Sequence, residues 1–259
     1  MAYEISTDQF QMFYTESDID ASVLWENHCH SRYEMIAVLE GDVSVMLEGR
    51  SYRLTERQTL IISPLCYHTI TPNVGGRYRR VTVLFDREAV PEVLRERLAR
   101  QDVRHMIFSS HRTDELGRIC KESDPDFYAP LAEALMVELL YRSAQSVQTE
   151  TSESEDSFLR EVVAYIDEHL CEKILLDDLA LRTAHSKSSL CHLFRSKMNV
   201  SPKQYILQKK MALAEQLIRD GMPPTAAALR VGYENYSNFY RLYTKLYGAN
   251  PTAHIREKV

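Results

Sequence analysis

Histidines near residue 30 have a spacing that suits metal or ligand binding. In the segment NHCHSRYE, His28, His30 and Glu34 all have even numbers, and an extended strand points alternate residues to one face. His68 lies in a later strand-like run, SPLCYHTI. Three imidazoles and one carboxylate suit a divalent ion such as zinc, nickel or iron. The same side chains could instead bind a small polar effector, or form interior hydrogen bonds without any ligand.

A second set of candidate residues lies on two helix-like segments in the C-terminal third of the sequence. The major groove of DNA admits one α-helix, and base edges there present distinguishable donors and acceptors. A base-contacting helix therefore needs short or planar polar groups on its outer face, with cations nearby for phosphates. A helical protein-interaction domain would also expose polar faces. Helical spacing puts Ser188, Cys191 and His192 on the outer face of the first helix, and Tyr236, Ser237, Tyr240 and Arg241 on that of the second. We predict DNA-backbone contacts from Lys187, Arg195, Lys197, Lys203, Lys209, Lys210 and Lys245.

Two helix-turn-helix units are needed to position these residues. The first is predicted as the helices Leu175–Arg182 and Ser186–Met198, with the Ser186 hydroxyl as an N-cap. The second has the helix Thr225–Val231, with Gly232 at the turn, where a positive φ is easiest. An offset of 49 residues superimposes the apolar positions, so one structural unit occurs twice. The coinciding pairs are Leu190 with Phe239, Phe194 with Tyr243, Pro202 with Pro251, and Ile206 with Ile255.

The N-terminal half has a different hydrophobic pattern, which predicts strands. Residues 22–85 contain short alternating runs such as VSVMLEG, TLIIS and RVTVLF, which predict six or more strands in a sandwich or small barrel. Residues 88–147 then turn helical, and Phe127–Ser146 is the best amphipathic helix. Its leucine stripe either pairs with a second chain or packs on its own barrel. That stripe consists of Leu131, Leu135 and Leu139.

Composition and charge narrow the class of protein. The chain has 259 residues, of which 44% are hydrophobic and 26% are charged, as in ordinary globular proteins. The net charge of −6 divides into −10 for residues 1–155 and +4 for residues 156–259, which suggests a polyanion partner for the second half. Five scattered cysteines without a CxxC pair argue against a disulfide framework or a cysteine zinc site. Without a signal-peptide pattern or a long apolar stretch, we expect a cytoplasmic protein that does not enter a membrane.

The C-terminal hundred residues resemble the DNA-binding domain of the AraC/XylS family of bacterial transcription regulators. The resemblance lies in DLALRTAHSKSSLCHLFRSKMNVSPKQYI and in VGYENYSNFYRLYTKLYGANPTAHIR. It implies two helix-turn-helix units joined by a long helix, here Pro202–Arg219. It also implies that two recognition helices enter successive major grooves, about 34 Å apart. Carried over residue by residue, the resemblance implies base contacts from Ser188, Cys191, His192, Tyr236, Ser237, Tyr240 and Arg241.

The segment from His28 to Gly41 resembles the first motif of the cupin superfamily, HxH-x3-E-x6-G. The resemblance implies a small barrel that holds a metal or a ligand, with His68 as the partner histidine. Cys66 stands where a glycine is usual in the second motif. In regulators, such barrels commonly bind a small-molecule effector, of which a sugar is one candidate, and Trp25 could contribute to that pocket. A metal-dependent isomerase or dioxygenase fused to a DNA-binding domain is the alternative.

The sequence therefore predicts a two-domain protein: an all-β cupin-like barrel followed by helices, then an all-α tandem helix-turn-helix domain. We expect a DNA-binding transcription regulator, not an enzyme, which requires no cofactor unless the barrel holds a divalent metal. The expected partners are double-stranded DNA, a small-molecule effector, a second copy of the chain and RNA polymerase. The predicted segments are 1–86 (effector-sensing barrel), 87–147 (helical, dimerisation), 148–157 (linker) and 158–259 (DNA binding).

Overall fold

Two compact units make up the chain, and each is described by itself. The first comprises residues 1–26, 32–47 and 51–153, and the second comprises residues 27–31, 48–50 and 154–259. The computed structural model describes residues 2–18, 27–73, 76–100, 105–122, 124–145 and 156–254. Trp25 and most of the predicted linker lie outside the described residues. Among the described helices, none has the length and hydropathy to cross a bilayer.

Strands dominate the first unit and lie in two antiparallel sheets. The larger sheet has the order β1-β2-β8-β3-β6-β9, and the smaller has the order β5-β4-β7. Glu48 and Gly49, between β4 and β5, both have positive φ, the conformation of a two-residue hairpin turn. The strands are β1 (Ala2–Ser6), β2 (Phe10–Asp18), β3 (Tyr33–Glu40), β4 (Val43–Leu47), β5 (Arg50–Leu54), β6 (Gln58–Ile62), β7 (His68–Pro72), β8 (Arg77–Phe85) and β9 (His105–Ser109).

The two sheets share an apolar core. Even-numbered residues of β3, such as Ile36 and Val38, pack with Val45 of β4 and Ile70 of β7. Because side chains alternate along a strand, the odd-numbered residues of β3 point to the other face of the larger sheet. The alternation predicted from the sequence is confirmed for β4, whereas β6 is buried on both faces and β8 is buried at three successive residues.

Helices cover the other face of the larger sheet. They are α1 (Glu92–Arg100), α2 (Arg112–Ile119) and α3 (Pro125–Gln145). Leu135 and Leu139 of α3 are buried against Met35 and Val83 in this layer, with exposed fractions of 3% and 0%. They pack on their own unit, and only Leu131, at 46%, is exposed. The leucine stripe is therefore divided between the core and the surface, so it cannot act as one dimer seam.

Three strands lie outside the region where the sequence predicted them. β1 and β2 form the N-terminal edge of the larger sheet, and β2 pairs with β8 along its whole length. β9 lies within the predicted helical segment and pairs with β6. The alternation was present, since Phe10, Met12 and Tyr14 are all buried, but the acidic residues around them obscured it.

The second unit is helical, and side-chain caps fix the start of several helices. Asp156 caps α4, Ser186 caps α6 by accepting from the Ser189 amide, and Asn235 caps α9. Ser201 and Gln204 form a capping box at the start of α7. The helices are α4 (Ser157–Glu168), α5 (Leu176–Arg182), α6 (Lys187–Met198), α7 (Pro202–Arg219), α8 (Pro224–Arg230) and α9 (Tyr236–Tyr247).

Two helix-turn-helix units are present as predicted: α5 with α6, and α8 with α9. The second helices are offset by 49 residues, but the first helices are offset by 48, so the second turn is one residue longer. Each turn has a residue with positive φ at the corresponding place, Ala184 at 54° and Gly232 at 84°. The predicted bounds of α7 agree with the structure, α5 begins one residue later than predicted, and α8 begins and ends one residue earlier.

Buried apolar side chains at paired positions hold each unit in place. In the 49-residue repeat, Phe194 of α6 coincides with Tyr243 of α9 and Leu190 coincides with Phe239, and all four are fully buried. Phe194 meets the Tyr205 ring of α7 edge-on, with centroids 5.3 Å apart. The apolar faces of both second helices are thus held inward, so their opposite faces point outward.

Candidate functional site

The outer face of α6 carries the first set of predicted base contacts. Ser188 and His192 are exposed, and Cys191 is half-buried. Beside them lies an open groove of about 510 Å³ between the N-terminal ends of α6 and α7. Its lining residues are Leu176, Lys187, Ser188, Cys191, Ser201, Pro202 and Lys203.

The outer face of α9 carries the second set. Ser237, Tyr240 and Arg241 are exposed, and the Arg241 Nη2 donates to the Asn238 Oδ1 at 3.1 Å. Asn238 therefore orients the guanidinium. Tyr236 is half-buried because its ring packs near Phe239 and Tyr240, so it contributes partly to the core.

Some of the cations predicted to contact the DNA backbone already form ion pairs with acidic side chains, and others are simply exposed. Arg195, Lys203 and Lys245 are exposed. Lys187 lies 2.9 Å from the Asp177 carboxylate, and Lys197 contacts Asp156. The hydrogen bond from Lys197 holds the pKa of Asp156 below its ordinary value. A phosphate would have to displace these carboxylates.

Lys209 and Lys210 were wrongly predicted to contact the DNA backbone. Their exposed fractions are 2% and 7%. The Lys209 ammonium lies 2.7 Å from the Asp167 Oδ1 of α4, while that of Lys210 donates to backbone carbonyls. A basic residue on a basic domain still points inward when buried acceptors compensate its charge.

A cluster of potential metal ligands lies at the start of β3 and β7. His28, His30, Glu34 and His68 each place one ligand atom within 4.8 Å of the others. The His68 Nε2 lies 2.9 Å from the Glu34 Oε2. His68 Nδ1 lies 2.9 Å from the Cys66 carbonyl oxygen. That contact suits donation from Nδ1 to the carbonyl, an arrangement that leaves Nε2 as a ligand in metal sites. The donor set fits a divalent transition metal.

Comparisons with known proteins give the family. A model of the AraC-like ligand binding domain matches residues 10–152, more than half of the chain, and a helix-turn-helix domain model matches residues 179–257. The chain belongs to the AraC family.

Relatives within the AraC family include named regulators. The probable transcriptional regulator LumQ of Photobacterium leiognathi is 35% identical over 89 residues, which are 34% of this chain and 36% of LumQ. The arabinose operon regulatory protein of Escherichia coli K12 is 28% identical over 156 residues, 58% of this chain and 53% of that protein. The chain thus spans about a third of LumQ and about half of the arabinose regulator. ToxT of Vibrio cholerae, a solved structure, has a TM-score of 0.44 at 9% identity, covering 95% of this chain and 98% of that chain.

Two residues beside the predicted DNA contacts were not predicted from the sequence. Asn238 orients Arg241, and Asp177 engages Lys187. The spacing of three between Asn238 and Arg241 could have revealed the first pair, since such residues share a helix face. The second pair joins α5 to α6 and becomes visible only when the turn is folded.

Proposed function

We propose that the chain is a DNA-binding transcription regulator that contacts two half-sites with α6 and α9. The observation that supports this most is that both second helices bury apolar side chains at paired positions and leave polar groups outward. The positive charge of the second half supports the same proposal, because cations that neutralise phosphates give affinity for any duplex. Membership of the AraC family and the named regulators among its relatives support it further.

The test is DNA binding by the full chain. Fluorescence anisotropy against duplexes selected from a random library should give specific binding, with an affinity that falls linearly as the salt concentration rises on logarithmic axes. Absence of binding to any duplex at low ionic strength would contradict the proposal.

We propose no catalytic role for the chain. We propose that such a regulator works in the cytoplasm, where bacterial DNA lies, and that RNA polymerase is its partner at a promoter.

We propose that the cluster of His28, His30, Glu34 and His68 is the input site of the regulator. Its donor chemistry supports a divalent metal, bound alone or together with a small polar effector. A bound ligand would change which conformation is populated, and so the affinity for DNA.

The input site is tested by calorimetric titration of the chelator-treated chain with zinc. The change His68→Gln should weaken zinc binding at least about tenfold, because a ligand is lost. The control His111→Ala removes an exposed histidine of the first unit and should leave zinc binding unchanged. If zinc, nickel and iron all fail to bind, the metal assignment is wrong, and a thermal-shift screen of sugars and amino acids tests the organic effector.

We further propose that the chain forms a homodimer through α3. Phe127 and Leu131 are 71% and 46% exposed, and Tyr141 is 39% exposed further along the helix. Spacings of four and ten residues put these side chains near one face, which borders the buried Leu135 and Leu139. An exposed apolar stripe on an otherwise packed helix is suited to pairing with the same helix of a second copy.

A further inference from the structure

We propose that Lys210 is a positioning residue that sets the spacing between the two DNA-contacting helices. Its ammonium joins the segment before the first helix-turn-helix unit to the turn of the second. This inference rests on the proposed DNA-binding function and adds a determinant of half-site spacing to it.

The contacts that carry the inference come from one buried cation in the middle of α7. The Lys210 Nζ donates to the Glu172 carbonyl oxygen, and to the Val231 carbonyl oxygen at 2.8 Å. Glu172 lies four residues before α5 begins, and Val231 is the C-cap of α8. We call these three residues the Lys210 bridge.

The Lys210 bridge depends on a charged donor in a buried position. The side chain of Lys210 is 7% exposed, so its ammonium depends on protein acceptors in place of water. A cation at the C-terminal end of α8 also meets the negative end of that helix dipole. An aliphatic side chain of the same length could fill the space but could not hold the two carbonyl groups.

Gly232 shows that the approach is close. A Cβ at this position would lie 3.1 Å from the Lys210 Nζ and 3.3 Å from the Glu172 carbonyl oxygen. Its φ of +84° is also one that glycine adopts most easily. The turn before α9 therefore lies close to the segment before α5, and a Cβ at Gly232 would require these neighbours to shift by a few tenths of an ångström.

The consequence concerns DNA spacing. α9 begins four residues after Gly232, so the Lys210 bridge fixes its start relative to the first unit. The long helix α7 alone would set the distance along its axis, but the bridge adds a second connection that opposes rotation of one unit about the other. A protein with this connection should tolerate little change in the separation of its half-sites, which lie about one helical turn of DNA apart.

The test uses the full chain and a duplex with two half-sites selected with the unaltered protein. Dissociation constants are measured for this duplex and for versions with one or two base pairs inserted between the half-sites. We expect the unaltered chain to lose at least about tenfold in affinity on the first insertion, whereas Lys210→Met should lose less than about threefold. Lys210→Arg keeps donors for both carbonyl groups and should restore part of the penalty.

Two further measurements separate this role from a general loss of structure. Lys173→Met removes an exposed lysine next to Glu172 and should keep the full insertion penalty. Should Lys210→Met lack a cooperative thermal transition, Gly232→Ala replaces it. Its Cβ would lie 3.1 Å from the Lys210 Nζ and push the ammonium away from its carbonyl partners by a few tenths of an ångström, so it too should reduce the penalty. An insertion penalty equal to that of the unaltered chain in a folded Lys210→Met or Gly232→Ala variant overturns the inference. Failure of the unaltered chain to bind any duplex overturns the proposed function instead.

Discussion

A single exposed arginine illustrates how the interface works at the residue scale. Arg241 is exposed on α9, and Asn238 accepts a hydrogen bond from its guanidinium at 3.1 Å. An oriented guanidinium can donate two bonds to one guanine, the commonest specific contact in the major groove. The preference for that base therefore depends on two side chains: Arg241 contacts the base, and Asn238 orients Arg241.

Arg241→Ala is expected to cost about 1–3 kcal/mol of specific binding and to relax the preference at one base. Asn238→Ala keeps the guanidinium and should cost less. Both residues are exposed, so thermal stability should not change. Anisotropy against duplexes substituted at each position measures the effect, and an Arg241→Ala variant with full discrimination would show that Arg241 contacts no base.

Asp177 is expected to weaken DNA binding in the unaltered chain, because it competes with phosphate for Lys187. Asp177→Asn should therefore strengthen binding to all sequences by about 0.2–1 kcal/mol, the range of exposed ion pairs. Asp178→Asn is the matched control, since it makes the same charge change on α5 at another position. Equal gains from the two variants, measured at one salt concentration, would show that only net charge matters.

At the scale of elements, the two turns provide an internal comparison. Ala184 has φ of 54°, a region where a side chain is strained, whereas the corresponding residue of the second unit is Gly232. The first turn therefore carries strain that the second avoids. α6 nevertheless begins correctly, because the Ser186 hydroxyl accepts from the Ser189 amide.

Ala184→Gly is expected to raise the free energy of unfolding of the second unit by about 1 kcal/mol. The gain is the strain of a left-handed alanine less the entropy that glycine adds to the unfolded chain. Asn199→Gly is the control, because Asn199 also has a positive φ, at 53°, but asparagine tolerates it better. Urea titration followed by helical circular dichroism gives both values; a larger gain at Asn199 would contradict the explanation.

The helix α3 gives a second prediction at this scale. Leu131→Glu should weaken self-association at least about tenfold, since it places charge in an apolar contact, without unfolding the first unit. Leu181→Glu introduces the same charge at a leucine that is 83% exposed in the second unit and serves as control. Sedimentation velocity measures the dimer fraction. Equal behaviour of the two variants would exclude the exposed stripe of α3 as the dimer contact.

At the scale of the whole molecule, local patterns predicted what depends on local physics. The Ser186 cap and the 3.6-residue periodicity determine α6 and α7, and the bounds of both helices were predicted to within one residue. The even-numbered spacing of His28, His30 and Glu34 predicted that these side chains share one face, and the cupin resemblance implied His68 as their partner; the four lie together in the structure.

Features that depend on distant partners were missed. The inward direction of Lys209 and Lys210 follows from acceptors about 40 residues away, Asp167 and Glu172, which helix periodicity does not reveal. Leu135 and Leu139 are covered because β1, β2 and β9 enlarge the sheet beneath them, and those strands were not predicted. Trp25 stays a prediction, since it lies outside the described residues.

The extra residue in the second turn has a consequence for redesign. Because the two halves of the tandem differ in connection length but agree in their buried apolar positions, the outward side chains of α9 can be transplanted onto α6 without changing either core. Such a chimera should prefer a direct repeat of one short base sequence. Exchanging a complete helix-turn-helix unit would instead shift its second helix by one residue, because the two turns differ in length. The DNA contacts of that helix would then be misplaced.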